Sequence, residues 1–114
     1  MTSSKVYVTQ EVPSANYVDA QRYGEVVFLT ATEVSMVDGS LHNVKLVDGI
    51  RRRLSGFNPE IDYIAPSGSP IITGLVFAVL AARTSRFNVL KWNGRDRAYT
   101  PVTISIRERS DVLG

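Results

Sequence analysis

The stretch that decides the fold is DYIAPSGSPIITGLVFAVLAART, residues 62–84. Its first four residues have the β-branched and aromatic composition of a short strand, whereas the apolar run from Pro70 to Thr84 is typical of a buried helix. Between them, Ser69 is suited to cap the helix because its hydroxyl accepts from free amides, and Pro70 suits the first helical position because it has no amide. The junction predicts a strand over residues 62–65 that passes directly into a helix.

Three elements and one helical turn are predicted on the N-terminal side of this junction. Residues 5–10 and 25–30 have strand patterns, and the near-continuous apolar character of the second run indicates a central strand. A single helical turn over residues 19–23 separates them. A helix over residues 40–57 is predicted because its apolar residues recur at helical spacing, with Gly56 placed to end it; those residues are Leu46, Val47, Ile50, Leu54 and Phe57.

A hairpin is predicted on the C-terminal side. Strand patterns over residues 88–92 and 98–106 flank Asn93-Gly94, a pair that favours the positive-φ turns of β-hairpins. Pro101 has no amide to donate to a ladder, so it indicates that the last strand lies at an edge or carries a bulge.

The order of these elements, β-α-β-α-β-α-β-β, predicts the fold class. Alternating strands and helices favour a mostly parallel sheet with right-handed crossovers. We therefore expect one α/β domain over residues 1–114, Rossmann-like with three or two layers, whose parallel sheet ends in an antiparallel C-terminal hairpin. Residues 1–4 and 107–114 are expected to be flexible tails.

Composition excludes several classes of site and compartment. The 114 residues include no cysteine, which removes disulfide scaffolds, thiol nucleophiles and cysteine-based metal sites. The start of the chain lacks the apolar run of a signal peptide, and the apolar run from Pro70 to Ala82 is shorter than the ~20 residues that span a bilayer. A cytoplasmic protein without a membrane partner is expected.

Charge is distributed unevenly along the chain. Residues 1–50 hold three basic and six acidic side chains, a net charge of −3, whereas residues 51–114 hold ten basic and five acidic side chains, a net charge of +5. A basic half favours anionic partners such as a nucleotide, a nucleic acid or an acidic protein surface.

The turn Ser67-Gly68-Ser69 is the first candidate binding site. In open α/β sheets, ligands bind beyond the carboxyl ends of the strands, where helix N-termini present free amides. Small residues let the backbone approach an anion closely, and two hydroxyls add donors. The alternative is a plain strand-to-helix turn, since caps of this kind are common. The turn matches neither the P-loop nor the G-x-G-x-x-G pattern.

The hairpin tip is the second candidate binding site. Lys91, Arg95 and Arg97 cluster there with Trp92 and Tyr99, and basic residues interleaved with aromatic ones are typical of single-stranded nucleic acid binding. Alternation along the predicted strand over residues 88–92 gives Trp92 the same face as Leu90, which favours an inward, core position for Trp92.

Three further groups of residues give weaker indications. Arg51, Arg52 and Arg53 point about 100° apart on a helix, so a solvated face is favoured over one phosphate-binding patch. His42, the single histidine, is the weak candidate for a catalytic acid or base, because histidine is the side chain most often used for that role, and no partner is assigned. The carboxylates Asp38, Asp48, Glu60 and Asp62 have no spacing that converges on a metal ion. No metal site and no cofactor are predicted.

Five segments together carry a resemblance to a known group of proteins: Val6-Tyr-Val8, Tyr17-Val-Asp-Ala-Gln-Arg-Tyr-Gly24, Asp62-Tyr-Ile64, the Ser-Gly-Ser-Pro70 turn and Phe87-Asn-Val-Leu-Lys-Trp92. Over about residues 5 to 103 the chain resembles small proteins of tailed bacteriophages. These share an Ala-x-x-Tyr-Gly element, an apolar helix after a Gly-x-Pro turn and an Asn-x-Leu-x-Trp strand. The resemblance implies a phage gene product that acts inside an infected bacterium, and it brings no assigned activity or catalytic residue.

The leading hypothesis is a non-catalytic phage accessory protein that binds an anionic partner. Ser67, Gly68 and Ser69 would cradle the anion, and Lys91, Arg95 or Arg97 would supply charge. One alternative is a structural or assembly protein that forms a homo-oligomer or a virion contact. Another is a small phosphodiesterase or nucleotide hydrolase that uses His42 or a serine.

Overall fold

A computed structural model of the chain describes residues 3–107. The chain forms five strands, two α-helices and one 3-10 helix in the order β1 (Lys5–Val8), the 3-10 helix (Val18–Arg22), β2 (Glu25–Phe28), α1 (Leu41–Arg53), β3 (Tyr63–Ala65), α2 (Pro70–Ala81), β4 (Arg86–Asn93) and β5 (Ala98–Ser105). Residues 1–2 and 108–114, which belong to the predicted tails, lie outside the described residues.

The five strands form one mixed sheet in the order β2-β1-β3-β4-β5. The prediction of a central position for β2 is therefore wrong: β2 is an edge strand, and its apolar run is explained by core packing on both of its faces. β1 pairs in parallel with β2 and with β3, and β3 pairs in parallel with β4. β5 pairs antiparallel with β4 over eight residues, from Arg86 opposite Ser105 to Asn93 opposite Ala98. The predicted α/β sheet with an antiparallel C-terminal hairpin is therefore confirmed.

Both α-helices pack on the same face of the sheet. α2 directs Ile72, Val76 and Leu80 inward, and α1 contributes Leu46 and Ile50; all five side chains are buried in one cluster. The helices cover this face because their apolar residues recur at helical spacing, so each presents one stripe to the strands.

The opposite face is covered by the 3-10 helix and the segments around it. Val6, Val8 and Leu90 lie at the centre of this second cluster, and Ala20 and Tyr99 pack over them. Both α-helices therefore lie on one face of the sheet, so the sheet and the α-helices form two layers.

α1 ends four residues earlier than the apolar pattern predicts. The helix ends at Arg53, and Leu54 serves as its C-cap. Leu54 and Phe57 are nevertheless buried in the helix-side core. The apolar pattern continues past the helix because a tight turn, not a further helical turn, delivers these two side chains to the core.

The hairpin between β4 and β5 is confirmed, but its turn differs from the predicted Asn-Gly type. Gly94 lies outside the left-handed region, and the residue with positive φ is Arg97, at 51°. The Asn93 side chain accepts from the Arg95 amide at 3.0 Å and donates to the Asp96 carboxylate at 2.9 Å. These side-chain bonds stabilise a four-residue turn in place of the two-residue one.

Arg97→Asn is expected to stabilise the protein by about 0.5–1 kcal/mol, because asparagine tolerates the left-handed region that costs an arginine on the order of 1 kcal/mol. Urea denaturation measures the difference. Arg95→Asn is the matched control, since it removes the same charge from the same turn at a residue without positive φ. Equal stabilities of the two variants would show that charge, and not backbone strain, is responsible.

Among residues 3–107, neither helix has the length and apolar character needed to cross a membrane.

Candidate functional site

The carboxyl ends of β1 and β3 form the point where the chain reverses its direction across the sheet. After β1 the chain moves outward to β2, and after β3 it moves the other way to β4. In open parallel sheets such a switch point is the usual location of ligands. The predicted turn at residues 67–69 follows β3 and therefore lies at this point.

At this switch point the protein's own polar side chains bond the turn. Gln10 Oε1 accepts from the Ser69 amide at 2.6 Å, and Thr9 Oγ1 accepts from the Ser67 amide at 2.8 Å. The Ser69 hydroxyl accepts from the Ile71 amide at 3.2 Å, as a helix cap does. The Ser67 hydroxyl lies toward the other side of the turn, where it bonds the Tyr17 hydroxyl at 2.8 Å.

A cleft of about 400 Å³ opens beside Ser67 on the face opposite the α-helices. We call it the aromatic cleft; its lining residues are Ser14, Ala15, Asn16, Tyr17, Pro66, Ser67, Trp92 and Tyr99. It joins the predicted turn to the predicted hairpin site, which sequence reasoning treated as separate. The lining residues carry four hydroxyls, those of Ser14, Tyr17, Ser67 and Tyr99, together with aromatic rings, so both stacking and hydrogen bonding are available to a ligand.

Trp92 is half-exposed, so the prediction of a core position is wrong. Its side chain points to the same face as Leu90, as the strand alternation requires, but it is 41% exposed whereas Leu90 is fully buried. The difference arises because β4 and β5 extend past the ends of the neighbouring strands. Trp92 packs edge to face on Tyr99, with ring centroids 5.0 Å apart, and leaves the rest of its indole open.

The three predicted cations lie on the β4–β5 hairpin, but none of them lines the aromatic cleft. All three are exposed. Arg95 and Arg97 lie in the turn after Asn93, whereas Lys91 precedes Trp92 and by strand alternation points to the helix side of the sheet. Within residues 3–107 none of the three forms an ion pair. Their charge is therefore available to an anionic partner.

The 3-10 helix holds Tyr99 in the cleft through both of its main-chain groups. The Asp19 carboxylate accepts from the Tyr99 amide at 2.6 Å, and the Tyr23 hydroxyl donates to the Tyr99 carbonyl at 3.1 Å. Arg22 bonds the same Asp19 carboxylate at 2.8 Å. The Arg22 hydrogen bond, with the Tyr99 amide, lowers the pKa of Asp19, while burial raises the pKa of Tyr99, which keeps its phenol neutral.

Acid is expected to weaken this attachment. Because the pKa of Asp19 in the folded protein lies below its ordinary value of 3.8, the contribution of its carboxylate to stability is fully present above 3.8 and is lost as pH falls through the lower folded value. Asp19→Asn should therefore lose less stability than the parent between about pH 5 and about pH 2. Urea midpoints across this range measure it. Asp48→Asn, an exposed change on α1, is the control, and its stability should change with pH as that of the parent does.

A second cleft, of about 660 Å³, lies between the end of β2 and α1, on the other side of the molecule. Lys45, Arg52 and His42 line it together with Glu11. Arg53 also lines the cleft and donates to the Leu29 carbonyl at 2.8 Å. Sequence reasoning missed this basic cleft because it assigned the arginine run to a solvated helix face, although the spacing of residues 45, 49, 52 and 53 places them on one side of α1.

His42 lies at the mouth of this basic cleft. Its Nε2 is 2.7 Å from the Glu33 carbonyl oxygen, and within residues 3–107 no carboxylate bonds its ring. Asp62, one of the carboxylates weighed as a metal ligand, is buried and accepts two main-chain amides. In the described part of the chain, no three acidic or histidine side chains converge on one point. Hydrolysis by His42 stays a prediction.

Comparison with known proteins identifies the family. A family model described as "Phage Pam3 gp32-like protein" matches residues 4–106, which is nearly the whole chain. No curated protein and no solved structure matches it. The match confirms the resemblance to bacteriophage proteins drawn from the sequence segments. The chain therefore belongs to the Phage Pam3 gp32-like family.

Proposed function

We propose that this chain is a non-catalytic phage accessory protein that binds single-stranded nucleic acid or a nucleotide in the aromatic cleft, inside an infected bacterium. The observation that carries the proposal is the half-exposed Trp92 at the edge of a cleft that also contains Ser67, on a hairpin whose turn carries Arg95 and Arg97 outside any ion pair in the described chain.

The aromatic cleft provides the two interactions that such ligands need. Base stacking on an aromatic side chain contributes about 1–3 kcal/mol per base and tolerates any sequence. Arg95 and Arg97 supply charge for phosphates, with release of counterions. A Rossmann-like interpretation of the sheet supports the location, because Ser67 follows β3 at the switch point.

Of the three residues in the predicted turn, Ser67 is the one that lines the aromatic cleft. The Ser69 hydroxyl and amide are both engaged within the protein, and Gly68 packs on Gln10. We therefore assign the polar contact with the ligand to the Ser67 and Tyr17 hydroxyls, with Gly68 and Ser69 shaping the turn behind them.

Intrinsic fluorescence provides a direct test because Trp92 is the single tryptophan of the chain. Titration with an oligothymidylate at low salt should quench the emission, since a stacked base contacts the indole. Binding should weaken as salt rises, with a slope of about 0.7 per phosphate contact for single strands. Absence of quenching and of binding at low salt would overturn the proposal.

Two double variants separate the hairpin site from general electrostatic attraction. Arg95→Gln with Arg97→Gln should weaken binding at least about tenfold and lower the salt slope by about 1.4. Arg51→Gln with Arg52→Gln removes the same charge from α1, on the opposite face of the sheet, and should weaken binding about twofold at most. Equal losses in both variants would contradict the assignment to the aromatic cleft.

A further inference from the structure

The helix side of the sheet carries a second surface, made of apolar residues, beyond α2. α2 turns Ile72, Val76 and Leu80 inward, so its outward stripe and the helix side of β5 stay uncovered by other residues of 3–107. We call this surface the apolar face and define it as Ile71, Gly74, Ala78, Ala81, Val102, Ile104 and Ile106. A groove of about 530 Å³ runs along it between α2 and β5.

The apolar side chains from β5 are unusually open for residues of their type. Val102, Ile104 and Ile106 are 41%, 46% and 55% exposed, and every residue that lines the groove is uncharged. Contiguous apolar surface of this kind usually marks an interaction site.

The two edges of the sheet are protected to different degrees. At the β2 edge, the Arg53 guanidinium reaches the carbonyl of Phe28, the last residue of β2, at 3.4 Å and bonds the Leu29 carbonyl just beyond the strand at 2.8 Å. At the β5 edge, no residue from Ala98 to Ile106 carries a charge. Proteins that avoid edge pairing usually place charged side chains along such a strand.

Hydrogen bonds show which residues of β5 face outward. In an antiparallel strand, alternate residues direct both main-chain groups to the same side. The Tyr99 amide donates to Asp19, away from β4, whereas the Ile106 amide donates to the Ser85 carbonyl on the β4 side at 2.8 Å. Odd-numbered residues of β5 therefore present their main-chain groups to the open edge.

The open edge has a protected half and an unprotected half. Tyr99 is bonded by the 3-10 helix, and Pro101 has no amide to offer. Thr103 and Ser105 are exposed, and their outward amides and carbonyls bond no other group of residues 3–107. A further strand can therefore pair with the outer edge of β5 from Pro101 onward, but not with the residues before Pro101.

We propose that a second copy of this chain pairs with this half of β5, antiparallel, about a two-fold axis at Ile104. This register places Thr103 opposite Ser105 of the partner subunit, so both residues exchange main-chain bonds. Ile104 then lies opposite its own copy, and Val102 opposite the partner's Ile106.

A second copy fits because the surface is complementary to itself. Every cross-strand pair on the helix side is a pair of β-branched apolar side chains, the kind that stabilises neighbouring strands. No like charges are brought together. Pairing of residues 101–107 forms an interface smaller than the ~800 Å² per partner of a standard protein–protein interface, so we expect a weak dimer.

Single cysteines test the register, because the natural chain has none. Ile104→Cys should form an intermolecular disulfide under mild oxidation, since residues opposite each other in a non-hydrogen-bonded pair have Cα atoms about 4.5 Å apart, within the range of a disulfide. Val102→Cys is the matched control. In the dimer, residue 102 of one copy lies four residues along the strand, about 14 Å, from residue 102 of the other copy, so the two cysteines should not crosslink.

A mixture of Val102→Cys and Ile106→Cys proteins completes the test, since the register predicts a disulfide between the two variants. Sedimentation of the unmodified full chain from micromolar to millimolar concentration should show a monomer–dimer equilibrium. Equal crosslinking of all single variants would overturn the register. A strict monomer over this range would overturn the dimer and indicate that residues 108–114 or another protein's strand covers the apolar face.

Discussion

Asp62→Asn is expected to destabilise the protein by about 2–4 kcal/mol, one of the two largest effects predicted here. The Asp62 carboxylate is 3% exposed and accepts two main-chain amides, from Lys5 and from Asn58, each at 2.8 Å. These bonds join the start of β1 to the loop that leads into β3. An asparagine of the same shape must place an NH₂ group against one of the two amides, which leaves a buried donor facing a donor.

Urea denaturation of the parent and Asp62→Asn measures this difference, and Asp38→Asn provides the matched control. Asp38 is exposed, so the same chemical change there should alter stability by less than about 0.5 kcal/mol. If Asp62→Asn lost less than about 1 kcal/mol, the two amides must find other partners, and the structural role assigned to the carboxylate would be wrong.

Gly68→Ala is expected to destabilise the protein by a similar amount, about 2–4 kcal/mol, for a different reason. Gly68 has φ of 80°, a conformation that alanine adopts only at a cost. A Cβ there would also overlap Gln10 Oε1, the acceptor of the Ser69 amide. The substitution therefore strains the backbone and displaces the side chain that fastens the turn to β1.

Gly49→Ala is the control for this substitution, because Gly49 lies inside α1 and a Cβ there makes no contact closer than 3.8 Å. It should stabilise the protein by about 0.5–1 kcal/mol. The same Gly→Ala change is thus expected to lower the stability of the protein at residue 68 and to raise it at residue 49. If Gly68→Ala were neutral, the close contact with Gln10 would have to relax without loss of the Ser69 bond.

Elements whose causes are local were predictable from sequence. The start of α2 is the best example: Ser69 is the N-cap and Pro70 the first helical residue, as predicted. Both preferences arise from the backbone within one helical turn, so no distant residue can change them. The strand segments β1 and β3 were recovered from their own composition in the same way, whereas the hairpin was recovered although its turn is not of the predicted Asn-Gly type.

Features that depend on distant residues were not predictable. The carboxylate of Asp62 meets the Lys5 amide across 57 residues of sequence, and Gln10 meets Ser69 across 59. Nothing in the neighbouring sequence of either residue indicates these bonds. The exposure of Trp92 was missed for a related reason: alternation gives the face of a strand, but not how far the strand extends beyond the core.

The candidate site was predictable in its parts but not in their arrangement. Residues 67–69 and the hairpin residues were singled out from their composition. The junction of Ser67 with Trp92 and Tyr99 in one cleft depends on Tyr17, which approaches Ser67 from the loop before the 3-10 helix. A tyrosine in a loop carries no local signal for such a contact.

In the proposed dimer, β5 is paired and β2 becomes the outer edge of the joined sheet. A sheet with two free edges can add copies at both ends without stopping, and the product is a fibre. A sheet with one free edge adds a single copy and is then complete. The Arg53 guanidinium occupies the Phe28 carbonyl at the end of the β2 edge, so we expect Arg53→Ala to free that acceptor and to favour the addition of further copies.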